Sequence, residues 1–497
     1  MIIPSHSPFT TLLTPSHHSP LPTHPLLLSL QKNQKMNYDV IIMGSGPGGY
    51  VAAIRASQLG MKVAIVEKAE LGGICLNWGC IPTKALLKSA NVFEYMKHAS
   101  AYGIVAAEPK ADFPAMVKRS RDVADGMSKG VTFLMKKNKI EVIQGTGKLK
   151  PGKNIEVTDA AGVKTIHTAK HIIIATGARS KELGSMKQDG KKVIGYREAM
   201  NLPNQPKKMV VVGAGAIGVE FAYFYNSIGT EVTIVEFMSR VVPVEDEEIS
   251  KELARNFKKQ GIKIMTEASV EAVDTTGEGC KVKVKTTKGE EIIECDIVLS
   301  AAGVVANIEN IGLEETGIKT EKGKITVDKY YKTNVDGYYA IGDVTPGPAL
   351  AHVASAEGIT CVEAIAGLKP EGIDYNNIPG CTYCSPEIAS VGLTEAAAIA
   401  GGYEIKVGKF PFTASGKAKA AGAPEGFVKV IFDAKYGEFL GAHMIGTNVT
   451  ELIAEVVVAR KLETTGHEII KSIHPHPTMS EALMEAAAAA YGEVIHL

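Results

Sequence analysis

The sequence predicts a mixed α/β protein in which one strand–turn–helix–strand unit occurs twice, followed by a C-terminal region of different texture. Short continuous apolar runs at residues 39–43 and 209–212 are typical of buried parallel strands. Each run leads into a glycine-rich turn and then an apolar helix. From about residue 377 this pattern gives way to alternating strands at 427–432 and 439–445 and a helix at 449–461, which is typical of an α+β domain.

Length, net charge, hydropathy and cysteine count limit the classes of protein to which this chain can belong. A chain of 497 residues is long enough for about three domains. The formal net charge is zero and no basic block suggests nucleic acid, while no apolar run approaches the ~20 residues that span a bilayer. Seven scattered cysteines are typical of a reducing compartment, where a paired disulfide is catalytic rather than structural. We expect a cytoplasmic protein without nucleic-acid or membrane partners.

Residues 1–35 differ from the rest of the chain. They are rich in Pro, Ser, His and Leu and contain no acidic residue and no arginine. Because Met36 directly precedes the first strand, we expect Met36 to be the functional start and residues 1–35 to be a disordered leader or a mis-assigned start. The alternative is a transit peptide, which would direct the protein to an organellar matrix, but such peptides are usually Arg-rich.

The first repeated unit surrounds Gly44, Gly46 and Gly49. The strand at 39–43 precedes these glycines, a helix is predicted at 50–59, and a second strand at 62–66 ends at Glu67. Glycines at this spacing let the backbone approach a pyrophosphate at a helix N-terminus, and the acid accepts hydrogen bonds from a ribose. The unit therefore predicts a dinucleotide site.

The second unit repeats this order around Gly213, Gly215 and Gly218. A strand at 209–212 comes before the turn, and a helix at 219–228 and a strand at 231–235 follow it, ending at Glu236. The carboxylate of Glu236 would repel a 2′-phosphate, so the unit predicts NAD rather than NADP. A single such turn is weak evidence, but two copies with matching context favour two Rossmann-like domains over ordinary α/β domains with glycine turns.

Between the two units, Cys75 and Cys80 lie in a glycine-rich segment. Side chains five residues apart on a regular helix point in different directions, so a loop or distorted turn at Gly79 is expected to bring the sulfurs together. Pro82 fits the first turn of a following helix, which puts Cys80 at a helix N-terminus, where a thiolate is favoured. We interpret the pair as a redox-active disulfide; the alternative is two unrelated buried cysteines.

Short motifs that could contact a cofactor follow three further predicted strands. A buried strand at 171–174 ends in a small-residue turn with Thr176 and Gly177, and a strand at 296–299 leads similarly to Gly303. Asp343 follows a strand at 338–341 and is expected either to meet a cofactor hydroxyl or to cap the next helix. The pair Cys381 and Cys384 could suggest zinc, but no second ligand pair has matching spacing, so we expect no metal.

On the basis of these motifs, residues 37–497 resemble the dihydrolipoamide dehydrogenase family of class I pyridine nucleotide-disulfide oxidoreductases. The most specific stretch runs from Gly72 to Leu87, GGICLNWGCIPTKALL. Glutathione and trypanothione reductases are similar in outline but tend to have arginines in the second fingerprint, and mercuric reductases end in a vicinal cysteine pair. Two departures stand out: residues 303–307 read GVVAN where the family usually has Gly-Arg-x-Pro-Asn, and Trp78 replaces a small aliphatic residue.

The resemblance implies a role for each motif residue. Cys75 resembles the interchange thiol and Cys80 the thiol against the flavin, which forms the charge-transfer thiolate. Lys84 would lie near the flavin N5 and pair with Glu220, and Asp343 would hold the ribityl chain of FAD.

The same resemblance identifies a base near the C-terminus. His476 matches the family's base, with Glu481 fixing its tautomer. His474 competes for this role. In this family the base reaches the cysteines of the other subunit, so the active site is implied to exist only in a homodimer.

Carried over by position, the resemblance assigns domains and cofactor contacts. It implies an FAD-binding domain at 36–183, an NAD-binding domain at 184–304, a return to the central domain at 305–376 and a dimerisation domain at 377–497. One non-covalent FAD per subunit would contact Gly44, Gly46, Gly49, Glu67, Lys84, Thr176, Gly177 and Asp343. NAD would contact Gly213, Gly215, Gly218, Glu220, Glu236 and Gly303.

The implied activity is oxidation of dihydrolipoamide by NAD⁺ to give lipoamide and NADH, by a ping-pong route through FAD and the disulfide. The implied partners are lipoyl domains and the acyltransferase core of 2-oxo acid dehydrogenase complexes, or the lipoyl carrier of glycine cleavage. Alternatives are another NADH-dependent disulfide or quinone reductase on the same scaffold and a non-catalytic complex subunit. The intact cysteine, lysine and histidine motifs argue against the last.

Overall fold

The structure, a computed structural model, describes residues 37–497. The proposed leader at 1–35 and the start at Met36 lie outside these residues. The chain from Asn37 to Ser180 forms a first sheet with its helices and one additional short strand, β7. The strands are β1 (Asn37–Met43), β2 (Val63–Glu67), β3 (Glu141–Gln144), β4 (Thr146–Lys150), β5 (Asn154–Thr158), β6 (Lys164–Ile174) and β7 (Ala178–Ser180), and the helices are α1 (Pro47–Gln58), α2 (Gly73–Trp78), α3 (Cys80–Lys97) and α4 (Phe113–Lys137).

This first sheet has the order β3-β2-β1-β6-β5-β4. The strands β3, β2, β1 and β6 are parallel, whereas β4 and β5 form an antiparallel edge on the first half of β6. The strand after the first fingerprint is predicted within a residue, but the strand predicted at 171–174 is only the buried end of the long β6. Its earlier half is partly exposed, because it pairs with the edge hairpin.

The middle of the chain builds a second sheet. Its elements are β8 (Val193–Ile194), α5 (Tyr196–Ala199), β9 (Lys208–Val212), α6 (Ala216–Ser227), β10 (Glu231–Val235), α7 (Glu247–Lys259), β11 (Lys263–Met265), β12 (Ser269–Asp274), β13 (Cys280–Thr286), β14 (Gly289–Cys295), β15 (Ile297–Ser300) and β16 (Val304–Ala306). A parallel sheet has the order β11-β10-β9-β15-β8, and β12, β13 and β14 form a separate antiparallel layer. A short pair, β7 with β16, lies where the chain crosses between the two sheets.

The chain then returns to the first sheet. This segment holds α8 (Leu313–Thr316), β17 (Thr320–Glu321), β18 (Lys324–Ile325), β19 (Tyr338–Ala340) and α9 (Ala351–Ile365). β19 adds to the first sheet in parallel beside β6. α9 packs tightly on α1, since a Cβ on Gly358 would lie 2.8 Å from the Gly48 carbonyl oxygen.

The C-terminal region is an antiparallel sheet covered by helices. Its elements are β20 (Gly380–Thr382), β21 (Glu387–Gly392), α10 (Glu395–Ala400), β22 (Ile405–Pro411), α11 (Gly416–Ala420), β23 (Phe427–Asp433), β24 (Phe439–Gly446), α12 (Val449–Lys461), α13 (Gly466–Lys471) and α14 (Glu481–Ala490). The strand order is β20-β21-β24-β23-β22. β23 and β24 are buried along their whole length, because α12 and α14 pack against the sheet.

The predicted fold class is confirmed: two parallel dinucleotide-binding-type sheets precede a C-terminal α+β domain. Two helices begin earlier in the chain than the sequence predicted. α1 begins at Pro47 and α6 at Ala216, because Gly46 and Gly215 are their N-caps and the third glycine of each turn already lies in the helix. Among residues 37–497, no helix combines the length and apolar character that crossing a bilayer requires.

Candidate active site

The two glycine turns have the same stereochemistry. Gly44 has φ +106° and a Cβ there would lie 2.2 Å from the Ala175 carbonyl oxygen, while a Cβ on Gly49 would lie 2.0 Å from the Gly44 oxygen. Both positions therefore exclude any side chain. A Cβ on Gly46, in contrast, would meet nothing within 4 Å. The backbone at Gly46 faces open space at the N-terminus of α1, which fits a bound pyrophosphate.

The second turn repeats this arrangement. Gly213 has φ +104° and a Cβ there would lie 2.5 Å from the Ala301 oxygen, and one on Gly218 would lie 1.9 Å from the Gly213 oxygen. Gly215 again has nothing within 4 Å. The chain thus has two clefts of the same form, each able to hold the pyrophosphate of one dinucleotide.

The acids that close β2 and β10 brace these turns. Glu67 accepts hydrogen bonds from Ser45 N at 2.9 Å and from Ser45 Oγ at 2.6 Å. Glu236, which is buried, accepts from Ala214 N in the equivalent position and from Met238 N at 2.7 Å. These contacts fix each carboxylate beside its glycine turn, where the ribose of a dinucleotide would lie.

The cysteines meet across a break between two helices. Cys75 lies in α2 rather than in the expected loop, and Cys80 begins α3. Gly79, with φ −147° and ψ −114°, interrupts the helical path, and the two thiols lie close enough for each to shift the pKa of the other. The segment also packs directly on the first turn, since a Cβ on Gly73 would lie 2.6 Å from the Gly46 Cα.

The two thiols differ in acidity. The hydrogen bond from Cys75 lowers the pKa of Cys80 to about 7, and the positive charge of Lys84 acts in the same direction. The same hydrogen bond, together with burial, raises the pKa of Cys75. Cys80 is therefore the thiolate of the reduced pair near neutral pH, and its position at the N-terminus of α3 also favours that charge.

Lys84 lies one turn along α3 and forms the expected ion pair with Glu220. Its Nζ is 2.9 Å from both carboxylate oxygens of Glu220, which is buried in α6. Tyr383 completes the group: its N–H donates to Glu220 at 2.9 Å and its ring centroid is 4.3 Å from Lys84 Nζ. Glu220 thus contacts Lys84 and Tyr383, and no sequence signal pointed to Tyr383.

Trp78 contacts two arginines. The guanidinium carbons of Arg121 in α4 and Arg197 in α5 lie 4.3 and 4.9 Å from the indole ring, and Arg121 Nη1 donates to Asn77 O at 2.7 Å. These two cation–π contacts hold the segment between the cysteines against two other helices. The sequence showed Trp78 as a departure from the family but gave no indication of its partners.

Asp343 lies in a short 3₁₀ turn after β19. It does not cap the next helix, because Leu350 is the N-cap of α9. Burial raises the pKa of its carboxyl, and among residues 37–497 no group donates a hydrogen bond to that carboxylate. Glu357, missed from the sequence, fixes the turn by accepting from Gly342 N at 2.5 Å and from the Tyr375 hydroxyl at 2.6 Å. A cofactor hydroxyl fits this free carboxylate.

Thr176 and Gly177 are joined to the segment that follows Gly303. Thr176 Oγ1 donates to Asn307 O at 2.7 Å, and Asn307 N donates to Gly177 O at 2.8 Å. Gly177 and Gly303 have φ of +67° and +101°, which favour glycine. Where the family has an arginine in this segment, Arg179 from the paired strand donates to Asn307 Oδ1 at 3.1 Å.

The two C-terminal histidines have different surroundings. The side chain of His474 is 6% exposed, with Nε2 2.8 Å from Glu455 Oε1 and Nδ1 3.0 Å from Ser472 O. The Glu455 contact raises the pKa of His474. His476 has Nδ1 2.8 Å from Glu481 Oε1, and 79% of its side chain is exposed. Within the described chain, no hydrogen bond or ion pair links His476 to the cysteines.

Glu481 begins α14 and is held in place by a second contact. Thr478 N donates to its other oxygen at 2.8 Å. Burial raises the pKa of the Glu481 carboxyl, but the hydrogen bonds from Thr478 and His476 outweigh that effect and keep it below its usual value. Glu481 is therefore an ionised partner that orients the His476 ring.

Cys381 and Cys384 do not lie in a metal-binding arrangement. Cys384 is buried, with its Sγ 3.3 Å from Pro386 O. In the described part of the chain no group of histidine, cysteine and acidic side chains has the arrangement of a metal site.

Comparison with known proteins agrees with this geometry. The family model for pyridine nucleotide-disulphide oxidoreductases matches residues 38–358, and the model for the dimerisation domain of these enzymes matches 378–487. Dihydrolipoyl dehydrogenases of Zymomonas mobilis and Rhizobium etli are 50% and 52% identical to the chain, each over 93% of the chain and 99% of the relative. The mitochondrial dihydrolipoyl dehydrogenase of Pisum sativum is 44% identical over 92% of both chains.

Solved structures show the same architecture. LpdA from Mycobacterium tuberculosis aligns with a TM-score of 0.85 at 28% identity, covering 91% of this chain and 99% of that one. The HOCl-induced flavoprotein disulfide reductase RclA from Escherichia coli aligns with a TM-score of 0.81 at 26% identity and the same coverage. Because the family models span both the dinucleotide-binding and the C-terminal regions, the chain belongs to the pyridine nucleotide-disulphide oxidoreductase family.

Proposed function

We propose that the chain acts as a dihydrolipoyl dehydrogenase, oxidising dihydrolipoyl groups with NAD⁺ through FAD and a disulfide between Cys75 and Cys80. The observation that carries this proposal is the thiol pair at the break between α2 and α3. The pKa of Cys75 is raised and that of Cys80 is lowered, and Lys84 lies one turn away. Relatives at about half identity over nearly the whole chain have this activity in their names.

The chemistry of the cysteines follows from their positions. In the oxidised enzyme, a substrate thiolate attacks the Cys75 sulfur and the disulfide bond breaks, releasing Cys80 as a thiolate. The second substrate thiol, once deprotonated, attacks the substrate sulfur of the mixed disulfide. The lipoyl disulfide forms, Cys75 leaves and takes up a proton, and the enzyme then holds the Cys75 thiol and the Cys80 thiolate. Cys80 is the better leaving group because its pKa is lowered to about 7.

Bound FAD would supply the redox chemistry that connects the reduced cysteines with NAD⁺. Gly44, Gly46, Gly49, Glu67 and Asp343 would hold it, together with the turn at Thr176 and Gly177. Lys84, fixed by Glu220, places a positive charge beside Cys80 and stabilises the thiolate there.

Each substrate thiol must lose a proton before attack, and we propose His476 as its acceptor. The exposed ring is oriented by Glu481 through Nδ1, which leaves Nε2 for the substrate. His474 is not proposed, because both of its ring nitrogens already have protein partners.

The position of His476 supports a shared active site. It lies in the region matched by the dimerisation domain and has no polar contact with Cys75 or Cys80 of its own chain among the described residues. We propose a homodimer in which His476 serves the cysteines of the other subunit.

The second cleft would take the adenosine half of NAD. Gly213, Gly215 and Gly218 would hold its pyrophosphate, and Gly303 lies at the crossover beside it. Glu236 would accept hydrogen bonds from the ribose and disfavour a 2′-phosphate.

We further propose that the natural substrates are dihydrolipoyl groups on lipoyl domains of 2-oxo acid dehydrogenase complexes or on the lipoyl carrier of glycine cleavage. The names of the relatives support this class of substrate. We propose the cytoplasm as the compartment, since cysteine usage is typical of a reducing environment.

A spectrophotometric assay tests the proposal. The FAD-loaded enzyme should reduce NAD⁺ with dihydrolipoamide as donor. With NADH as donor, it should reduce glutathione disulfide and quinones far more slowly. The structural likeness to RclA makes another disulfide reductase the competing activity. Higher catalytic efficiency with a different disulfide or a quinone would favour that alternative.

A further inference from the structure

A second pair of cysteines lies in the antiparallel layer beside the second sheet. Cys280 opens β13 and Cys295 ends β14, and the two residues are directly opposite each other in the register of this antiparallel pair. Residues opposite each other project to the same face, with Cα atoms about 4.5–5.5 Å apart. This separation falls within the range that a disulfide bridges. Each thiol lies close enough to the other to affect its pKa.

The surroundings keep the two sulfurs together. Both residues are buried, with 2% and 6% of their surfaces exposed, and they belong to one apolar cluster with Val210 and Val298. Cys280 Sγ lies 3.9 Å from the Lys192 carbonyl oxygen and 3.8 Å from that of Asp296. The pair therefore lies at the contact between the hairpin and the parallel sheet that carries the second fingerprint.

We propose that Cys280 and Cys295 are a site of oxidative modification that forms an intramolecular disulfide, separate from the redox centre at Cys75 and Cys80. The oxidant is a hydroperoxide. One thiol is oxidised to a sulfenic acid while the O–O bond breaks and water or an alcohol leaves. The second thiol then displaces water, so the two sulfurs together lose two electrons and two protons.

The surroundings of the two thiols also determine which oxidation product forms and how fast the thiols are oxidised. Because the partner thiol is adjacent, the sulfenic acid is trapped as a disulfide before a second peroxide can oxidise it further. Burial raises the pKa of both thiols, so the reaction is slow compared with that of Cys80. The crosslink would join the ends of the β13–β14 hairpin and stabilise this layer.

Peptide mapping of the FAD-loaded protein tests the proposal. After incubation with hydrogen peroxide, denaturation and alkylation, peptides containing Cys280 and Cys295 should be found crosslinked and 2 Da lighter than the two thiol peptides. Cys361 is an internal control, because it is also buried but lies in helix α9 and not opposite a cysteine in a strand pair. It should remain a thiol under the same treatment.

A stability measurement gives a second readout. Peroxide should raise the unfolding temperature of the native chain by about 2 °C or more, and the rise should be missing in Cys295→Ser. In that variant, Cys280 should instead appear as a sulfinic acid or remain a thiol.

Recovery of Cys280 and Cys295 as two free thiols, or as two separate sulfinic acids, in peroxide-treated native protein would overturn the proposal. The same conclusion would follow if Cys361 were oxidised at an equal rate, since oxidation would then reflect general unfolding. The mapping on the native chain decides the matter even if Cys295→Ser folds poorly.

Discussion

The clearest test of the redox site is replacement of Lys84 by methionine. In the structure Lys84 contributes a positive charge that lowers the pKa of Cys80, whereas Glu220, its ion-pair partner, raises it. Methionine keeps most of the length of the side chain and removes the charge. Lys84→Met should therefore raise the pKa of the Cys80 thiol, and Glu220→Gln should lower it.

The size of the effect follows from the same contacts. An opposite charge nearby typically shifts a pKa by about 1–3 units. We expect about 1 unit, because the Lys84 side chain is 31% exposed and Glu220 offsets part of its charge. With the pKa of Cys80 at about 7, half of the reduced enzyme carries the thiolate at pH 7. A rise of one unit reduces this fraction to about one tenth.

The assay is a pH titration of the thiolate–flavin charge-transfer absorbance in two-electron-reduced enzyme. The native midpoint should lie near pH 7, with Lys84→Met about one unit higher and Glu220→Gln below the native value. Gln retains an oxygen for the hydrogen bond from Tyr383 N. Lys88→Met, an exposed change one turn further along α3, is the matched control and should leave the midpoint unchanged.

An unchanged midpoint in Lys84→Met would refute the electrostatic role of this lysine and leave the hydrogen bond from Cys75 as the cause of the low pKa. Shifts of the same sign in Lys84→Met and Glu220→Gln would show that the variants act by disturbing α3 rather than through charge.

Three further predictions concern the proposed roles. Cys75→Ser and Cys80→Ser should each abolish lipoamide turnover while FAD remains bound, and only Cys75→Ser should retain the charge-transfer band; the reverse pattern would exchange the two roles. Catalytic efficiency should favour NADH over NADPH by at least about 10-fold, or roughly 1.4 kcal/mol, because of Glu236. Equal efficiency with both cofactors would show that Glu236 does not face the ribose. His476→Gln should lower lipoamide turnover by about 10²–10⁴ while leaving flavin reduction by NADH almost unchanged. Mixing His476→Gln with Cys75→Ser subunits should restore activity, since each heterodimer has one intact shared site. No recovery in verified heterodimers would place the base within its own chain, or on His474.

The two clefts could be predicted from the sequence because their motifs are contiguous in the chain. The glycines of each turn are close in the chain, and the contacts of Gly49 with Gly44 and of Gly218 with Gly213 lie within the turn, although Gly44 and Gly213 also lie against the distant Ala175 and Ala301. The acids at the ends of β2 and β10 follow at a fixed distance because one helix and one strand separate them from the turn. The cysteine pair could also be predicted because its two residues are close in the chain, although α2 extends through Cys75 where a loop was expected.

The sequence by itself determined the fold class, the two clefts and the thiol pair, because each is indicated by residues that lie close together in the chain. Only the tertiary structure brought Tyr383 to Lys84, Arg121 and Arg197 to Trp78, and Glu357 to the turn of Asp343. Those partners are distant in the chain and carry no periodic or spacing signal. The structure likewise distinguished His474 from His476, since their difference is one of burial and hydrogen bonding to residues such as Glu455, which packing alone decides.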